Sequence, residues 1–229
     1  GWWNVRATVN GVSVDGFVAS KFLEDGTSPT PAATHSTIAA VHLSTSNAIR
    51  RASAGGRAFP LNEDGQPKRG IGGATLKTII DHLKVATSAR YTPGNGRTFC
   101  NIYAYDVACL ADVYLPRVWW TSPAIADLTA GHPVPVKYDK TVRELNANAL
   151  CNWFEDFGPR FGWRWTPDLT ELQSAVNDGA IGVMVARRVD LNRSGHITIV
   201  APESSTRKAE RANGAVKVPL QSQAGAKNF

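Results

Sequence analysis

One cysteine of this chain lies where a thiol could act as a nucleophile. A glycine-containing loop, residues 91–96, runs into Arg97-Thr98-Phe99-Cys100, and a helical pattern begins at Cys100. The first turn of a helix leaves backbone N–H groups unpaired and carries partial positive charge, which stabilises a thiolate. Because the thiolate is the nucleophilic form of cysteine, we predict that Cys100 is a catalytic nucleophile.

A cysteine nucleophile needs a base, and histidine suits neutral pH best. His196 follows Ser194-Gly195 and opens the strand pattern His196-Ile197-Thr198-Ile199-Val200. A flexible glycine just before a histidine is expected to leave the edge of the imidazole accessible. Cysteine early on a helix, followed by histidine on a later strand, is the order of papain-like enzymes. His196 is therefore the predicted base.

A third group should orient the imidazole, and the strand after His196 is the best source. If Val200 pairs with Pro219 in an antiparallel hairpin, His196 falls opposite Gln223. Gln221 would then lie diagonally on the same face. We predict Gln223 as the orienting residue and keep Gln221 as an alternative.

Two further groups belong to the predicted site. Glu203 is the nearest acid to His196 in the sequence, but an extended strand would place it about 23 Å away, at roughly 3.3 Å per residue. It remains a second alternative for the third position. The backbone N–H of Cys100, with a donor from the preceding loop, is the predicted oxyanion hole. Asn101 either assists it or caps the helix.

Composition limits the class of protein. The chain has 229 residues, 43% of them hydrophobic and 19% charged, which predicts one folded domain, or one domain with an appendage. No apolar run approaches the roughly 18 residues of a membrane span. The net charge of +6 and the isoelectric point of about 9.4 favour an anionic partner. Nucleic acid is not expected, because no stripe of basic and aromatic residues marks a binding groove.

The sequence does not predict a metal or a cofactor. The three cysteines form no CxxC motif, and the five histidines form no HExxH motif. Cys109 and Cys151 are predicted to be packing residues within helices. Because three cysteines cannot all pair within one chain, stability is not expected to rest on a disulfide framework.

The first 24 residues differ from the rest of the chain. WWNVRATVNGVSVDGFVASKFLE reads as short strands that end at the turns Asn10-Gly11 and Asp15-Gly16. It resembles the closing half of a bacterial SH3-type wall-binding domain, and a plain N-terminal hairpin is the alternative. Residues 25–36 have the composition of a linker. We therefore predict a short β appendage, a linker and a catalytic domain over residues 37–229.

Hydrophobic periodicity predicts helices followed by strands, which indicates an α+β fold. An aspartate at position 168 is expected to cap the last helix. The predicted helices cover residues 38–51, 75–88, 100–111, 141–157 and 167–177, and the predicted strands cover residues 180–186, 196–201 and 216–221.

Five segments carry a family resemblance over about residues 90–229. They are TFCNIYAYDVACLADVYLP, RELNANALCNWFED, GWRWTPDLTELQSAVNDGAIGVMVARR, GHITIVAPE and QAGAKNF. Together they resemble the papain-like cell-wall hydrolases of the NlpC and CHAP type. The resemblance implies helices packed on a small antiparallel sheet, with Cys100 as nucleophile and His196 as base. It implies no cofactor. Relatives use His, Asn, Gln or Glu at the third position, and this chain has no histidine after 196.

The resemblance also implies a substrate and a location. The expected activity is cleavage of amide bonds in peptidoglycan stem peptides, by an endopeptidase or an N-acetylmuramoyl-L-alanine amidase. The expected location is the cell wall or periplasm, after secretion or delivery. The chain begins with Gly rather than Met and shows no signal peptide, which fits a processed or trimmed protein. Aromatic side chains that could line a substrate groove, or belong to the core instead, are Tyr103, Trp119, Trp120 and Trp163.

Two other function classes fit the same sequence. A Cys-His toxin could deamidate or otherwise modify a host protein, and an immunity or inhibitor protein would then be a partner. A non-catalytic wall-binding module is the other alternative, suggested by the SH3-like start and the seven tryptophans.

Overall fold

The computed structural model describes residues 75–229, together with the backbone of residues 7–9 and 12–19. These residues divide into two compact units. Residues 7–9, 12–19, 75–115 and 146–229 belong to the first unit, and residues 116–145 to the second. Helices and antiparallel sheets occur together, which confirms the predicted α+β class. The predicted linker 25–36 and helix 38–51 lie outside the described residues.

The described part of the chain contains five α-helices and two short 3-10 turns. Short 3-10 turns cover Ala89–Tyr91 and Gly158–Phe161. The α-helices are α1 Leu76–Leu83, α2 Cys100–Leu110, α3 Ser122–Thr129, α4 Ala147–Asp156 and α5 Leu169–Asn177.

The strands of the described part lie before, between and after these helices, and the last five follow one another at the end of the chain. They are β1 Ala7–Val9, β2 Val12–Ala19, β3 Val118–Trp120, β4 Val142–Glu144, β5 Trp163–Thr166, β6 Ile181–Ala186, β7 His196–Val200, β8 Glu210–Ala212, β9 Ala215–Val218 and β10 Gln221–Ser222.

The main sheet of the first unit has the strand order β1-β2-β6-β7-β10, and β5 also pairs with β2. All of these pairs are antiparallel. One edge of β2 pairs with β6, from Val14 opposite Ala186 to Ala19 opposite Ile181. The other edge takes β1 at its beginning and β5 at its end. Strand β2 therefore lies inside the sheet.

This pairing places the first strands of the chain in the main sheet. The N-terminal strands are part of the sheet that carries His196, so they are not a separate β appendage. Strand β2 also runs without a break through Asp15-Gly16, where a turn was predicted. The prediction failed because backbone pairing on both edges holds the strand extended, and those partners are more than 140 residues away in the chain. Residues 116–145 form a compact unit of their own.

Helix α2 is the buried helix of the first unit. Every residue from Ile102 to Leu110 is buried, and the helix lies against α1 and β7. The predicted helix over 100–111 is thus confirmed to within one residue. Burial on all sides explains why an amphipathic stripe is weak here, because a helix surrounded by protein needs no polar face.

The predicted helix over 141–157 is wrong in its first part. Val142–Glu144 forms strand β4, paired with β3, and the helix begins only at Ala147. The side chain of Asn146 accepts a hydrogen bond from the N–H of Ala149 and caps the helix. A local pattern could not reveal the strand, because its partner lies more than 20 residues earlier.

The second unit holds β3, α3 and β4. Inside it, Arg117 is 1% exposed, and its Nε donates to Glu144 Oε1 at 3.0 Å. Across the described part of the chain, none of the helices combines the length and the apolar composition that crossing a lipid bilayer requires.

Candidate active site

Cys100 occupies the first position of α2 and is 5% exposed. A tight turn precedes it: Gly94 and Arg97 exchange backbone hydrogen bonds of 3.1 and 3.0 Å. Asn95 and Gly96 hold positive φ angles of 53° and 70°, the signature of a type I′ turn that Asn-Gly favours. The turn delivers the chain to Phe99, whose carbonyl accepts the first helical bond, from Tyr103. The thiol is therefore placed at the positive end of the helix.

His196 begins β7, and the glycine before it is required by space. A Cβ at Gly195 would lie 2.4 Å from the carbonyl oxygen of Ala186 and 2.4 Å from Oδ1 of Asn148. The backbone at Gly195 thus packs directly against α4 and the end of β6. Glycine serves here for close packing, whereas the sequence suggested flexibility. This close packing fixes the position of the backbone from which the His196 side chain extends.

Asn148 on α4 holds both ends of the loop that leads to His196. Its Nδ2 donates to the carbonyl of Arg193 at 2.9 Å, and its Oδ1 accepts from the N–H of Arg188 at 3.1 Å. The side chain is 7% exposed. This role was not predicted, because a single asparagine in a helical pattern carries no signal of the loop it binds.

The Cys100 thiol and the His196 imidazole interact directly, and each shifts the pKa of the other. Burial alone would raise the pKa of the thiol. The hydrogen bond and the charge of His196, with the backbone N–H groups of Ile197 and Asn101, outweigh it and lower the pKa of Cys100 below its usual value. Ile197 was not foreseen as a donor, since a strand N–H normally belongs to a sheet ladder.

The pKa of His196 moves in the opposite direction. Burial would lower it, but the hydrogen bond and charge of Cys100 and the hydrogen bond of Gln223 raise it above the usual histidine value. A lowered thiol pKa beside a raised imidazole pKa favours the thiolate–imidazolium pair. The pair places a nucleophile and a proton donor side by side.

Gln223 completes the arrangement on the far side of the imidazole. Its Oε1 lies 2.6 Å from His196 Nε2. Because an amide oxygen can only accept, the Nε2 atom of His196 carries the proton, and Nδ1 is left for Cys100. The structure thus brings together the three side chains that the sequence predicted as nucleophile, base and orienting group.

The predicted strand register was nevertheless wrong by two residues. Val200 pairs with Gln221 and not with Pro219. The predicted strand over 216–221 is in fact two strands, β9 and β10, interrupted at Pro219. Gln223 lies just beyond the end of β10, where its backbone is free of the ladder to β7. It reaches His196 diagonally.

The two alternatives for the third position lie elsewhere. Gln221 is in β10, paired with Val200. The carboxylate of Glu203 accepts hydrogen bonds from Nη1 and Nη2 of Arg211 at 2.6 and 2.8 Å. It also accepts from the N–H of Ala209 and the side chain of Asn177. Its carboxylate is committed to that cluster.

The aromatic residues predicted to line a groove are buried. Tyr103 is 0% exposed and Trp163 is 1% exposed. Tyr103 contacts Ser222 Oγ at 2.7 Å, and Trp163 Nε1 donates to the carbonyl of Tyr114 at 2.7 Å. These two are core residues of the first unit. Trp119 and Trp120 are also buried, in β3 of the second unit.

Asn101 is half-buried next to Cys100, and its backbone N–H is directed at the sulfur. It does not cap the helix, since Phe99 holds the cap position. Within residues 75–229, no group of three or more His, Cys, Asp or Glu side chains is placed to hold a metal ion.

None of the protein-family models, the curated proteins or the solved structures matched this chain. The roles of Cys100, His196 and Gln223 therefore rest on their chemistry and geometry.

Proposed function

We propose that this protein is a cysteine hydrolase that cleaves amide bonds through a thioester intermediate. One observation carries the proposal: a thiol at the start of a helix interacts directly with an imidazole, which is held in turn by an amide oxygen at 2.6 Å. This is the arrangement of nucleophile, base and orienting group that acyl transfer requires.

Acylation begins with the thiolate of Cys100. The sulfur attacks the carbonyl carbon of the scissile amide and forms a tetrahedral oxyanion. His196 then gives its Nδ1 proton to the leaving nitrogen, the C–N bond breaks, and a thioester remains on Cys100. The positive end of α2, with the backbone N–H of Cys100, is suited to stabilise the oxyanion.

Deacylation reverses the proton transfers. His196 removes a proton from water, and the hydroxyl attacks the thioester carbonyl. The C–S bond breaks, the carboxylic acid leaves, and the thiolate–imidazolium pair is restored. Throughout, Gln223 holds the imidazole with its Nε2 proton pointing away from the reacting atoms.

We also propose that the first unit has a papain-like architecture. The buried helix α2 lies against β7 of an antiparallel sheet, and the cysteine begins that helix. The histidine begins the adjacent strand, and the orienting residue follows the next strand of the sheet. These features support the proposed architecture.

The proposed substrate is the stem peptide of bacterial peptidoglycan. It rests on the motif resemblance around Cys100 and His196, and the net charge of +6 suits a substrate rich in carboxylates. The proposed activity is that of an endopeptidase or N-acetylmuramoyl-L-alanine amidase that works at the cell wall or in the periplasm.

The direct experiment uses purified sacculi. Wild-type protein and the Cys100→Ala variant are incubated with sacculi, and soluble muropeptides are analysed by mass spectrometry. Release by the wild type alone supports the proposal, and the new termini identify the bond that is cut. Equal release by both proteins, or none by either, would contradict it.

The same experiment separates the alternative functions. A mass increase of about 1 Da on a host protein, with intact muropeptides, would indicate deamidation by the same thioester chemistry. Binding to sacculi without release, and unaffected by Cys100→Ala, would indicate a wall-binding module. The strands that suggested such a module, β1 and β2, pair within the main sheet of the first unit.

A further inference from the structure

The loop that follows Gln223 controls which end of its amide faces His196. Gln223 Nε2 donates to the carbonyl oxygen of Lys227 at 3.1 Å, while Oε1 faces His196 at 2.6 Å. A backbone carbonyl can only accept, so it selects the NH₂ end of the amide. If the amide were reversed, His196 would need its proton on Nδ1, and Nδ1 could not take the proton of Cys100.

The 223–229 loop is closed by its own backbone. The N–H of Gln223 donates to the carbonyl of Phe229 at 2.8 Å, and the N–H of Phe229 donates back to Gln223 at 3.2 Å. A Cβ at Gly225 would lie 3.3 Å from Cε1 of His196 and 3.5 Å from Nε2 of Gln223. The backbone of the loop therefore lies directly against the hydrogen-bonded pair.

Helix α2 is tied to the start of this loop by a chain of hydroxyl groups. Ser222 Oγ donates to the carbonyl of Phe229 at 3.0 Å, which uses its only hydrogen. Tyr103 must then donate to Ser222 across 2.7 Å. Burial is the main reason that the pKa of Tyr103 rises to about 12, so it stays protonated as a donor.

Asn228 anchors the loop to the rest of the unit. Its Nδ2 donates to the carbonyls of Val85 at 3.1 Å and Tyr91 at 2.9 Å. The hydroxyl of Tyr91 donates in turn to Asp106 of α2 at 2.6 Å. The helix that carries Cys100 and the loop that orients Gln223 are thus attached to the same segment, residues 85–91.

We propose that Asn228 is a positioning residue, which anchors the 223–229 loop so that the Lys227 carbonyl selects the amide orientation of Gln223 and thereby the imidazole tautomer that can accept the Cys100 proton. The catalytic consequence rests on the proposed function, but the effect on Cys100 does not need a substrate. The groups that act on the protonation of His196 are Cys100 and Gln223.

The first test measures alkylation of Cys100 by iodoacetamide as a function of pH, using the full chain. In Asn228→Ala the apparent pKa of Cys100 should rise, and alkylation at acid pH should slow about tenfold. Asn228→Asp replaces the donating NH₂ group with a carboxylate oxygen, which can only accept and would face the carbonyls of Val85 and Tyr91. It should therefore slow alkylation at least as much. Ala226→Ser is the matched control: it changes an exposed side chain of the same loop and should leave the profile unchanged.

The outcomes distinguish positioning from a loss of stability. Thermal unfolding is measured for each variant, and a positioning role shifts the alkylation profile at temperatures where the variant is fully folded. An unchanged profile in Asn228→Ala, or an equal shift in Ala226→Ser, would overturn the proposal.

A second measurement serves if the Asn228 variants do not fold. In Cys100→Ala, nitrogen chemical shifts of His196 report which ring nitrogen carries the proton. The proposal requires Nε2–H, and an Nδ1–H tautomer would overturn it. If the protein released no muropeptides but the alkylation shift were present, the proposed substrate would fail and the positioning role would stand.

Discussion

The Nε2 atom of His196 lies 2.6 Å from Oε1 of Gln223, although 27 positions separate the two residues. The sheet register alone does not make this contact, because Ile199 pairs with Ser222 and the ladder ends there. Continued, the same register would place residue 225 across from His196. The chain leaves the ladder after Ser222, and this departure lets the Gln223 amide reach the imidazole.

Replacing Gln223 should weaken the thiolate–imidazolium pair. Hydrogen bonds to charged groups contribute about 1.5–3 kcal/mol, so Gln223→Ala should slow alkylation of Cys100 at acid pH and the release of muropeptides by roughly 10- to 100-fold. Gln221→Ala is the control, because Gln221 lies in β10, two residues before Gln223, and takes no part in the site. Equal effects of the two substitutions would contradict an orienting role for Gln223.

The reactivity of Cys100 should extend to lower pH than that of an ordinary cysteine. Its pKa is lowered from 9.0 and that of His196 is raised from 6.5. The alkylation rate should therefore rise through a midpoint below 9.0, as the thiolate forms. Hydrolysis also needs the imidazolium, so its rate should fall again as pH passes the raised pKa of His196. Cys100→Ser gives the background from Cys109 and Cys151, and a single midpoint near 9.0 would rule out the ion pair.

A side chain at position 195 should destabilise the first unit. In Gly195→Ala, the added Cβ would lie 2.4 Å from Ala186 O and from Asn148 Oδ1, so the backbone must move. Overpacking of this kind typically costs about 1–3 kcal/mol, which for this chain length corresponds to a melting temperature lower by roughly 2–4 °C per kcal/mol. Gly94→Ala is the matched control, because nothing lies within 4 Å of the position that its added methyl group would take. Equal melting temperatures for the two variants would contradict the packing argument.

Asp106→Ala should lower the free energy of unfolding far more than the removal of a surface acid does. Asp106 is fully buried and accepts from Nε and Nη2 of Arg90 and from the hydroxyl of Tyr91. Breaking a buried ion pair costs about 3–5 kcal/mol, because the partner charge is left uncompensated. The control is Asp81→Ala. Asp81 pairs with Lys77 at the surface, where the two side chains are 61% and 64% exposed, respectively, so this pair should contribute less than about 1 kcal/mol. Urea unfolding measures both, and comparable losses would be inconsistent with this distinction.

Glu203 should make the stability of the fold depend on pH in the acid range. The hydrogen bonds from Arg211 are the main cause that lowers the pKa of this carboxyl to about 2 from 4.5. A lowered folded-state pKa gives stability that is fully present above pH 4.5 and is lost as pH falls from 4.5 toward 2. The unfolding free energies of wild type and Glu203→Gln should therefore differ more at pH 6 than at pH 3. A difference that does not change with pH would contradict the assignment.

Local signals in the sequence predicted the parts of the site that depend on local geometry. The loop before Cys100 and the apolar residues after it predicted the start of α2, and Asp168 predicted the cap of α5. The strand that begins at His196 was also predicted from its own residues. Each of these features is decided by neighbours within one or two helical turns, or within one strand.

Features that depend on distant partners were missed or misplaced. Residues 142–144 were assigned to a helix because the strand that pairs with them lies at 118–120. Strand β2 was assigned to an appendage because its partners, β5 and β6, lie at the other end of the chain. The role of Asn148 depends on a loop some 40 residues later, and no local pattern records it.

The sequence by itself determined the chemical groups of the site and the local structure of each: a thiol at a helix start, an imidazole at a strand start and an amide after the return strand. Only the tertiary structure decided how they meet. The register of β10 against β7, the closed loop from Gln223 to Phe229 and the anchor at Asn228 set the distance to His196 and the orientation of the amide. The physical reason is that a hydrogen bond is decided within a few tenths of an ångström, and that precision comes from contacts between residues far apart in the chain.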